Sequence, residues 1–266
     1  MKVVVIGGGF VGQLVQLAIP DAVILDWRKV APADHLGTRV GPQYLWEPIP
    51  GVPSREFNVR TTVDGCLATP DSIRAYKKKI GKEHDGGNWG LQFRPLTVGF
   101  HSQLPLPTIR FGCRVTDVVE RKVVVNGQEE VPFDWLISTI PLPALLNILG
   151  SHHASEFRSD PIYMLRRLRK PQMFDSDLWL DYNSNPYDPV YRQTWTGGES
   201  FSESLSSVEG AFRIVPGKIH PHQGSETMVD SLRALRCQCF GRFGTWRPDE
   251  LAHETWKHIQ YWKESI

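Results

Sequence analysis

The sequence predicts a mixed α/β fold with two domains, one built on a parallel sheet and a smaller one on a mixed or antiparallel sheet. Within residues 3–25, an apolar β-branched run is followed by glycines, an amphipathic segment and a second apolar run, which indicates a strand, a helix and a strand. Residues 110–140 contain short apolar runs joined by an Asn-Gly turn, which indicates antiparallel strands and then a buried strand. Aromatic and polar residues alternate within residues 178–195, as in the strands of a second sheet.

The first element is a glycine turn that follows the strand at 3–6. Gly7, Gly9 and Gly12 have the G-x-G-x-x-G spacing of a Rossmann-like dinucleotide-binding turn. The first glycine of such a turn allows a tight bend, and the second lets a pyrophosphate approach the N–H groups at a helix N-terminus. The third glycine lets the helix pack closely on the sheet. The alternative is a glycine turn that binds nothing.

The second strand, at 22–25, is followed by an acidic residue at the expected spacing. Asp26 lies where the carboxylate of a dinucleotide-binding unit accepts hydrogen bonds from the ribose hydroxyls. Phe10 and Val11 lie between the second and third glycines, at the start of the predicted helix. These three residues therefore belong to the predicted cofactor site.

A long ordered loop is predicted after Asp26, because prolines and glycines recur through residues 27–53. Arg39 lies in this loop and would bring a permanent cation close to the bound cofactor. Residues 71–82 then predict a helix that carries three lysines at 77–79. Those lysines form either a solvated face or a contact with a polyanion.

The remaining elements follow in order along the chain. The hairpin signal Asn126-Gly127 joins two of the strands of the middle block. The predicted segments are strands at 112–119, 122–125, 129–133 and 134–140, a helix at 144–149, strands at 178–182 and 190–195, a strand and glycine turn at 237–245, and a helix at 248–262.

Composition narrows the function classes. The chain has 266 residues, 41% of them hydrophobic, and a net charge of +1, so it can bury a large core and carries no global field that attracts nucleic acid or membrane. The glycines at the start interrupt any signal-peptide helix, and no apolar run reaches the length of a membrane span. We therefore expect a soluble, cytoplasmic protein with no membrane partner, located in the host cytoplasm if it is viral.

Three blocks together resemble the glutathione-reductase-like superfamily of FAD enzymes, in the branch of flavin amine oxidases, protoporphyrinogen oxidases and UDP-galactopyranose mutases. The blocks are VVVIGGGFVG at 3–12, RVTDVV with FDWLISTIPLPALL at 114–119 and 133–146, and FGRFGTW at 240–246. The resemblance implies FAD as the cofactor. It also implies a Rossmann-like FAD domain with a β-meander, formed by 1–65, 108–150 and 236–266, and a substrate domain formed by 66–107 and 151–235.

The resemblance also implies site residues in the middle block. A main-chain group of Val115 would meet the adenine, and Thr139 and Pro141 would lie beside the cofactor. Ordinary buried strand residues are the alternative. Because the second strand ends in Asp rather than the usual Glu, Trp27 and Arg28 would compensate by packing on the adenosine side.

In the mutase-like members of this branch, a turn similar to the C-terminal block closes over the FAD. The resemblance implies that Arg242 pairs with the pyrophosphate and that the neighbouring residues contact the cofactor. The alternative is a hairpin followed by a surface helix. The residues implied in this block are Gly241, Arg242, Gly244, Thr245 and Trp246.

The catalytic residues are not recognisable, and two candidates lie in the substrate domain. Arg192, in PVYRQTW, resembles an element by which mutase-like enzymes hold an anionic substrate, with a surface salt bridge as the alternative. Trp195 suits an aromatic wall for an amine or a stacked base, with a core position as the alternative. The pairs at 220/222 and 237/239 lack a complete set of metal ligands, so no metal is predicted.

The predicted function is an FAD-dependent enzyme that oxidises or cleaves a carbon–nitrogen bond of an amine or amino-acid-type substrate. Alternatives are a flavin-dependent lyase that acts on an amino-acid-modified DNA base in a viral hypermodification pathway, and a mutase-like enzyme without net redox change. A regulatory protein that binds NAD or FAD is the non-enzyme alternative. The expected partner is a small-molecule or nucleotide-linked amine, with DNA as a possible substrate. The sequence does not indicate an oligomeric state.

Overall fold

The computed structural model describes residues 1–29, 42–81, 96–104, 108–168, 177–196 and 199–266. The strands are β1 Val3–Ile6, β2 Val23–Asp26, β3 Pro42–Leu45, β4 Ser54–Val63, β5 Cys66–Leu67, β6 Leu96–Gln103, β7 Ile109–Phe111, β8 Val115–Val119, β9 Lys122–Val125, β10 Glu129–Pro132, β11 Trp135–Ser138, β12 Ser159–Leu168, β13 Leu178–Tyr182, β14 Val190–Thr196, β15 Glu199–Ser204, β16 Phe212–Ile219 and β17 Cys237–Cys239. The α-helices are α1 Phe10–Ala18, α2 Pro70–Lys79, α3 Leu142–Ile148, α4 Ser225–Leu232, α5 Gly241–Gly244 and α6 Ala252–Glu264, with 3₁₀ turns at His152–Glu156 and Arg233–Leu235.

The chain divides into two compact units. The first comprises Met1–Ser54, Ser102–Arg158 and Ile219–Ile266, and the second comprises Arg55–His101 and Ser159–Lys218. Residues 55–65, predicted with the first domain, therefore lie in the second unit. Residues 151–158 and 219–235, predicted with the second domain, lie in the first unit, and Val229 and Leu232 of α4 belong to its hydrophobic core.

The first unit contains a five-stranded parallel sheet with the strand order β17-β11-β1-β2-β7. All four residues of β1 are buried, as expected for a central strand covered on both faces. A three-stranded antiparallel sheet, β10-β9-β8, contributes Val123, Val125 and Val131 to the same core as Leu136 and Leu142. The mixed α/β class predicted from the sequence is confirmed.

The predicted hairpin signal forms the turn between β9 and β10. Asn126 and Gly127 have left-handed φ values of +53° and +74° in the three-residue connection 126–128, where the Gln128 N–H donates to the Val125 carbonyl at 3.1 Å. Asn126 also fixes its surroundings, because its side-chain amide donates to the Gly112 carbonyl and its Oδ1 accepts from the Arg114 N–H. The prediction of a hairpin here is confirmed.

The second unit is a sheet with the strand order β16-β12-β15-β14-β13-β4-β6, and β5 pairs with β4. Neighbouring strands are antiparallel along the series β12-β15-β14-β13. The next pair, β13 and β4, is parallel. Helix α2 begins with a capping box between Thr69 and Ser72 and ends before Gly81, which has a φ of +67°. The predicted helix at 71–82 is therefore correct in kind, and it ends three residues earlier than expected.

Several elements were absent from the sequence prediction. Among them, β3 lies within the predicted long loop, β4 begins directly after that loop, and α4 lies in a segment for which no helix was predicted. Within the described ranges, every helix is too short or too polar to cross a lipid bilayer.

Candidate cofactor site

The glycine turn at the end of β1 is tightly packed at its first and third glycines. Gly7 has a φ of +108°, and its N–H donates to the Leu25 carbonyl at 2.9 Å. A Cβ atom on Gly7 would lie 2.5 Å from the Thr139 Oγ1, and one on Gly12 would lie 2.0 Å from the Gly7 carbonyl oxygen. Neither position accepts a side chain, so these two glycines allow the close approach of α1 to β1.

The second glycine of the turn has the opposite environment. Gly9 is the N-cap of α1, with ordinary extended angles of −72° and −175°, and no described atom lies within 4 Å of the position that its Cβ would take. The helix has no side-chain cap and no acidic residue in its first turn, which contains Phe10 and Val11. A helix N-terminus with these properties suits an anion such as a pyrophosphate.

Asp26 is deeply buried at the end of β2, where it is 3% exposed. Its Oδ2 accepts from the Gly8 N–H at 2.8 Å, and its Oδ1 accepts from the Arg28 N–H at 2.9 Å and from the Arg28 Nε at 2.8 Å. The Arg28 Nη2 also donates to Oδ2. Burial alone raises the pKa of Asp26, but the hydrogen bonds and the charge of Arg28 outweigh burial and hold that pKa below its usual value.

Thr139 links the end of β11 to the glycine turn. Its N–H donates to the Ile6 carbonyl at 3.0 Å, and its hydroxyl lies 3.1 Å from the same oxygen and 3.0 Å from the Gly7 carbonyl oxygen. Pro141 follows as the N-cap residue of α3. The structure therefore brings the middle block directly against the N-terminal block.

The C-terminal block at 240–246, which contains α5 and is called the C-terminal turn below, packs against both of these blocks. A Cβ on Gly241 would lie 2.7 Å from the Val11 Cγ2, and Gly241 has a φ of +79°. A Cβ on Gly244 would lie 3.0 Å from the Ser138 carbonyl oxygen and 3.6 Å from the Thr139 Cα. The three sequence blocks that carry the family resemblance therefore meet around the glycine turn.

The other predicted residues of the C-terminal turn have different environments. Arg242 is exposed, and its guanidinium lies 4.7 Å from the centre of the Phe243 ring. The Thr245 hydroxyl donates to Glu250 at 2.5 Å or to the Gly241 carbonyl at 3.0 Å. Only Arg242 of these residues presents an exposed polar side chain.

Trp246 is a core residue. It is 2% exposed, its indole N–H donates to the His220 carbonyl at 2.9 Å, and its ring meets the edge of Phe157. Its φ of +59° is unusual for a bulky residue, and the buried indole holds the backbone in this strained conformation.

The remaining predicted cofactor residues are spread more widely. Trp27 is 69% exposed. Val115 is buried at the start of β8 and pairs with Val125. Arg39 lies outside the described residues.

Sequence reasoning missed Gln13, whose buried side-chain amide lies 3.4 Å from the Gly8 carbonyl oxygen. A glutamine on an amphipathic helix gives no sequence signal of its own.

The two catalytic candidates lie in the second unit. Arg192 forms an ion pair with Glu203, which also accepts a hydrogen bond from the Tyr191 hydroxyl. Although burial lowers it, the carboxylate of Glu203 raises the pKa of Arg192 above its usual value, so the cation is retained and already balanced.

Trp195 belongs to an aromatic pair on the sheet of this unit. Its ring stacks on Trp179 with the two ring centres 4.5 Å apart, and the Trp179 indole N–H donates to the Thr62 hydroxyl at 2.8 Å. The Arg60 guanidinium lies 5.5 Å from the centre of the Trp179 ring. Among the described residues, no group of three or more His, Cys, Asp or Glu side chains is arranged to bind a metal ion.

No protein-family model and no curated protein matches the sequence. Solved structures are similar in fold. A reduced UDP-galactopyranose mutase aligns over 100% of this chain and 94% of its own, with a TM-score of 0.63 and 12% identity. The flavin-dependent halogenase BrvH from Brevundimonas sp. BAL3 aligns over 99% and 71%, with a TM-score of 0.54 and 12% identity. A fatty acid isomerase from P. acnes that produces CLA aligns over 98% and 98%, with a TM-score of 0.53 and 12% identity.

These alignments cover almost the whole chain, so both units share the architecture of the similar structures. The fold that the resemblance predicted, a Rossmann-like unit with a second, sheet-based unit, is therefore confirmed.

Proposed function

We propose that the protein is an FAD-dependent enzyme that oxidises or cleaves a carbon–nitrogen bond of an amine or amino-acid-type substrate. The observation that carries the FAD part of this proposal is the meeting of the three blocks. Gly241 and Gly244 pack against Val11 and Thr139, beside the open position in front of Gly9. A simple NAD-binding unit needs the first block alone, whereas a flavin site of this fold uses all three.

The residues present fit a dinucleotide. The uncapped N-terminus of α1 offers backbone N–H groups to a pyrophosphate, and Gly9 leaves space for it to approach. Arg242, on the exposed side of the C-terminal turn, adds a cation that can pair with a phosphate oxygen. When bound, FAD supplies the acceptor for a hydride from the carbon that bears the substrate nitrogen.

The amine part of the proposal rests on the aromatic pair in the second unit. Trp179 and Trp195 present stacked indole rings, and an aromatic face attracts a cationic ammonium group. Arg192 is a weaker candidate for holding a carboxylate or phosphate, because Glu203 already neutralises its charge. We therefore favour Trp195 over Arg192 as the substrate-contacting residue.

A reaction without net redox change is the second candidate, and the comparisons favour keeping it. Two of the similar structures are named as a mutase and an isomerase, and neither name implies consumption of an oxidant. A lyase that acts on an amino-acid-modified DNA base belongs to the same group of candidates. These reactions share the proposed cofactor site and differ in what the second unit binds.

The experiment is anaerobic incubation of the purified, flavin-loaded protein with three substrate groups: amines and amino acids, glycyl-nucleosides, and sugar nucleotides. Bleaching of the flavin absorbance by an amine supports carbon–nitrogen oxidation. Product formation without bleaching supports the mutase-like or lyase reactions. Trp195→Phe, which keeps an aromatic ring, should retain more activity than Trp195→Leu if the indole face holds an ammonium group.

A further inference from the structure

We infer that Asp26 is a positioning residue for Arg28 and Gly8, and that Arg28, rather than the Asp26 carboxylate, faces the adenosine ribose of the bound dinucleotide. This inference rests on the proposed cofactor site. It differs from the expectation drawn from the sequence, in which the carboxylate itself accepts the ribose hydroxyls.

The hydrogen-bond inventory of Asp26 carries the inference. Each carboxylate oxygen accepts two hydrogen bonds from the protein, Oδ1 from the Arg28 N–H and Nε, and Oδ2 from the Gly8 N–H and the Arg28 Nη2. An ionised carboxylate has about four acceptor positions in total. The ribose hydroxyls would therefore have to displace a donor that the protein already supplies.

The backbone around Asp26 and Arg28 makes it costly for a ribose hydroxyl to displace one of these donors. The Arg28 carbonyl accepts from the Gly112 N–H at 2.7 Å, and the Asp26 carbonyl accepts from the Cys113 N–H at 2.9 Å. Both main-chain ends of the loop from Asp26 to Arg28 are thus held by the segment that follows β7. The planar Arg28 guanidinium also contacts the carboxylate side-on, through Nε and Nη2, and this two-point contact fixes the orientation of the two groups.

The short Asp26 side chain keeps its carboxylate close to the glycine turn and beneath Arg28. A Cβ on Gly8 would lie 2.7 Å from the Asp26 Oδ2, so the carboxylate is packed directly against the glycine turn. Arg28 is 21% exposed, whereas Asp26 is 3% exposed. The guanidinium therefore covers the carboxylate, so a ribose that approaches Asp26 from solvent meets Arg28 first.

Two consequences follow for recognition. Asp26 acts on the cofactor only through Arg28 and through the orientation of the Gly8 amide. In addition, a site that presents a guanidinium to the ribose accepts a phosphate at the ribose 2′ position, whereas a site that presents a carboxylate rejects it.

The first test is a double-mutant cycle on the full chain after removal of its flavin, with FAD binding followed by flavin fluorescence. We expect Asp26→Asn and Arg28→Gln each to weaken FAD binding by about tenfold or more. In the Arg28→Gln background, Asp26→Asn should change the affinity by less than about threefold. A further loss of about tenfold in that background would overturn the inference, because it would show that Asp26 acts on the cofactor mainly without Arg28.

The matched controls are Lys29→Gln and Arg28→Lys. Lys29→Gln removes an exposed neighbouring cation and should leave the affinity unchanged. Arg28→Lys keeps the charge but removes the side-on contact, so it should resemble Arg28→Gln. Retention of wild-type affinity by Arg28→Lys would contradict the inference, since a point charge would then suffice.

The second test needs no variant and compares ADP with its 2′-phosphorylated form as competitors for the FAD site of the wild-type protein. We expect the 2′-phosphorylated form to bind at least as tightly as ADP. Binding weaker by about tenfold would overturn the inference, because a carboxylate would then face the ribose. Absence of FAD binding by the wild-type protein would instead overturn the proposed function and this inference together.

Discussion

Replacement of Gly9 by valine separates the fold of the glycine turn from its binding function. Gly9 has backbone angles that any residue adopts, and no described atom lies within 4 Å of its Cβ position. A side chain there creates no clash inside the protein, so we expect the free energy of unfolding to change by about 1 kcal/mol or less, the scale of an altered N-cap. The branched side chain would occupy the space through which a pyrophosphate approaches the helix N-terminus.

The matched variant is Gly12→Ala, whose Cβ would lie 2.0 Å from the Gly7 carbonyl oxygen. That contact forces α1 away from β1, and we expect a loss of about 3 kcal/mol or more in stability. Urea unfolding of the flavin-free proteins measures stability, and flavin fluorescence measures FAD affinity. We expect Gly9→Val to lose more than about a hundredfold in affinity, or 2.7 kcal/mol. A stable Gly9→Val protein that binds FAD with wild-type affinity would refute the role assigned to this turn.

Four other perturbations follow from the structure. Arg242→Ala should lower FAD affinity and leave the unfolding free energy within about 0.5 kcal/mol, because Arg242 is exposed; unchanged affinity would show that the C-terminal turn does not contact the phosphates. Thr139→Val should lower the free energy of unfolding, measured in urea, by about 1 kcal/mol, because it removes the hydroxyl that donates a hydrogen bond to the Ile6 or Gly7 carbonyl. Glu203→Gln should destabilise the protein by about 1–3 kcal/mol, because the partly buried Arg192 loses its counter-charge. Arg28 and Gly8 lower the pKa of folded Asp26 below its unperturbed value of 3.8. The difference in unfolding free energy between wild type and Asp26→Asn should therefore be complete above about pH 4 and disappear as the pH falls through the folded pKa. A difference that persists in acid would contradict the pairing of Asp26 with Arg28.

The sequence predicted the elements whose signals are local. The glycine spacing before α1 and the Asn126-Gly127 turn are backbone requirements that few other residues satisfy, so the pattern reports the conformation directly. The meeting of Gly241 with Val11 is a contact between distant parts of the chain, and it was inferred only from the family resemblance.

Other features depend on tertiary packing that no short segment encodes. β4, which directly follows a region rich in proline and glycine, pairs in parallel with β13, a distant part of the chain. Helix α4 belongs to the first unit because Val229 and Leu232 complete the core of that unit. The role of Arg28 depends on the exact reach of the Asp26 side chain, which spacing alone does not reveal.

The flavin content of the purified wild-type protein tests the central claim most directly. The visible spectrum, followed by chromatographic identification of the released cofactor and titration of the flavin-free protein with FAD, gives both the identity and the stoichiometry. The arrangement of the three blocks predicts FAD at about one per chain, with an affinity that Gly9→Val and Arg242→Ala both reduce. A folded protein that binds NAD in place of FAD, or no dinucleotide at all, would contradict the account.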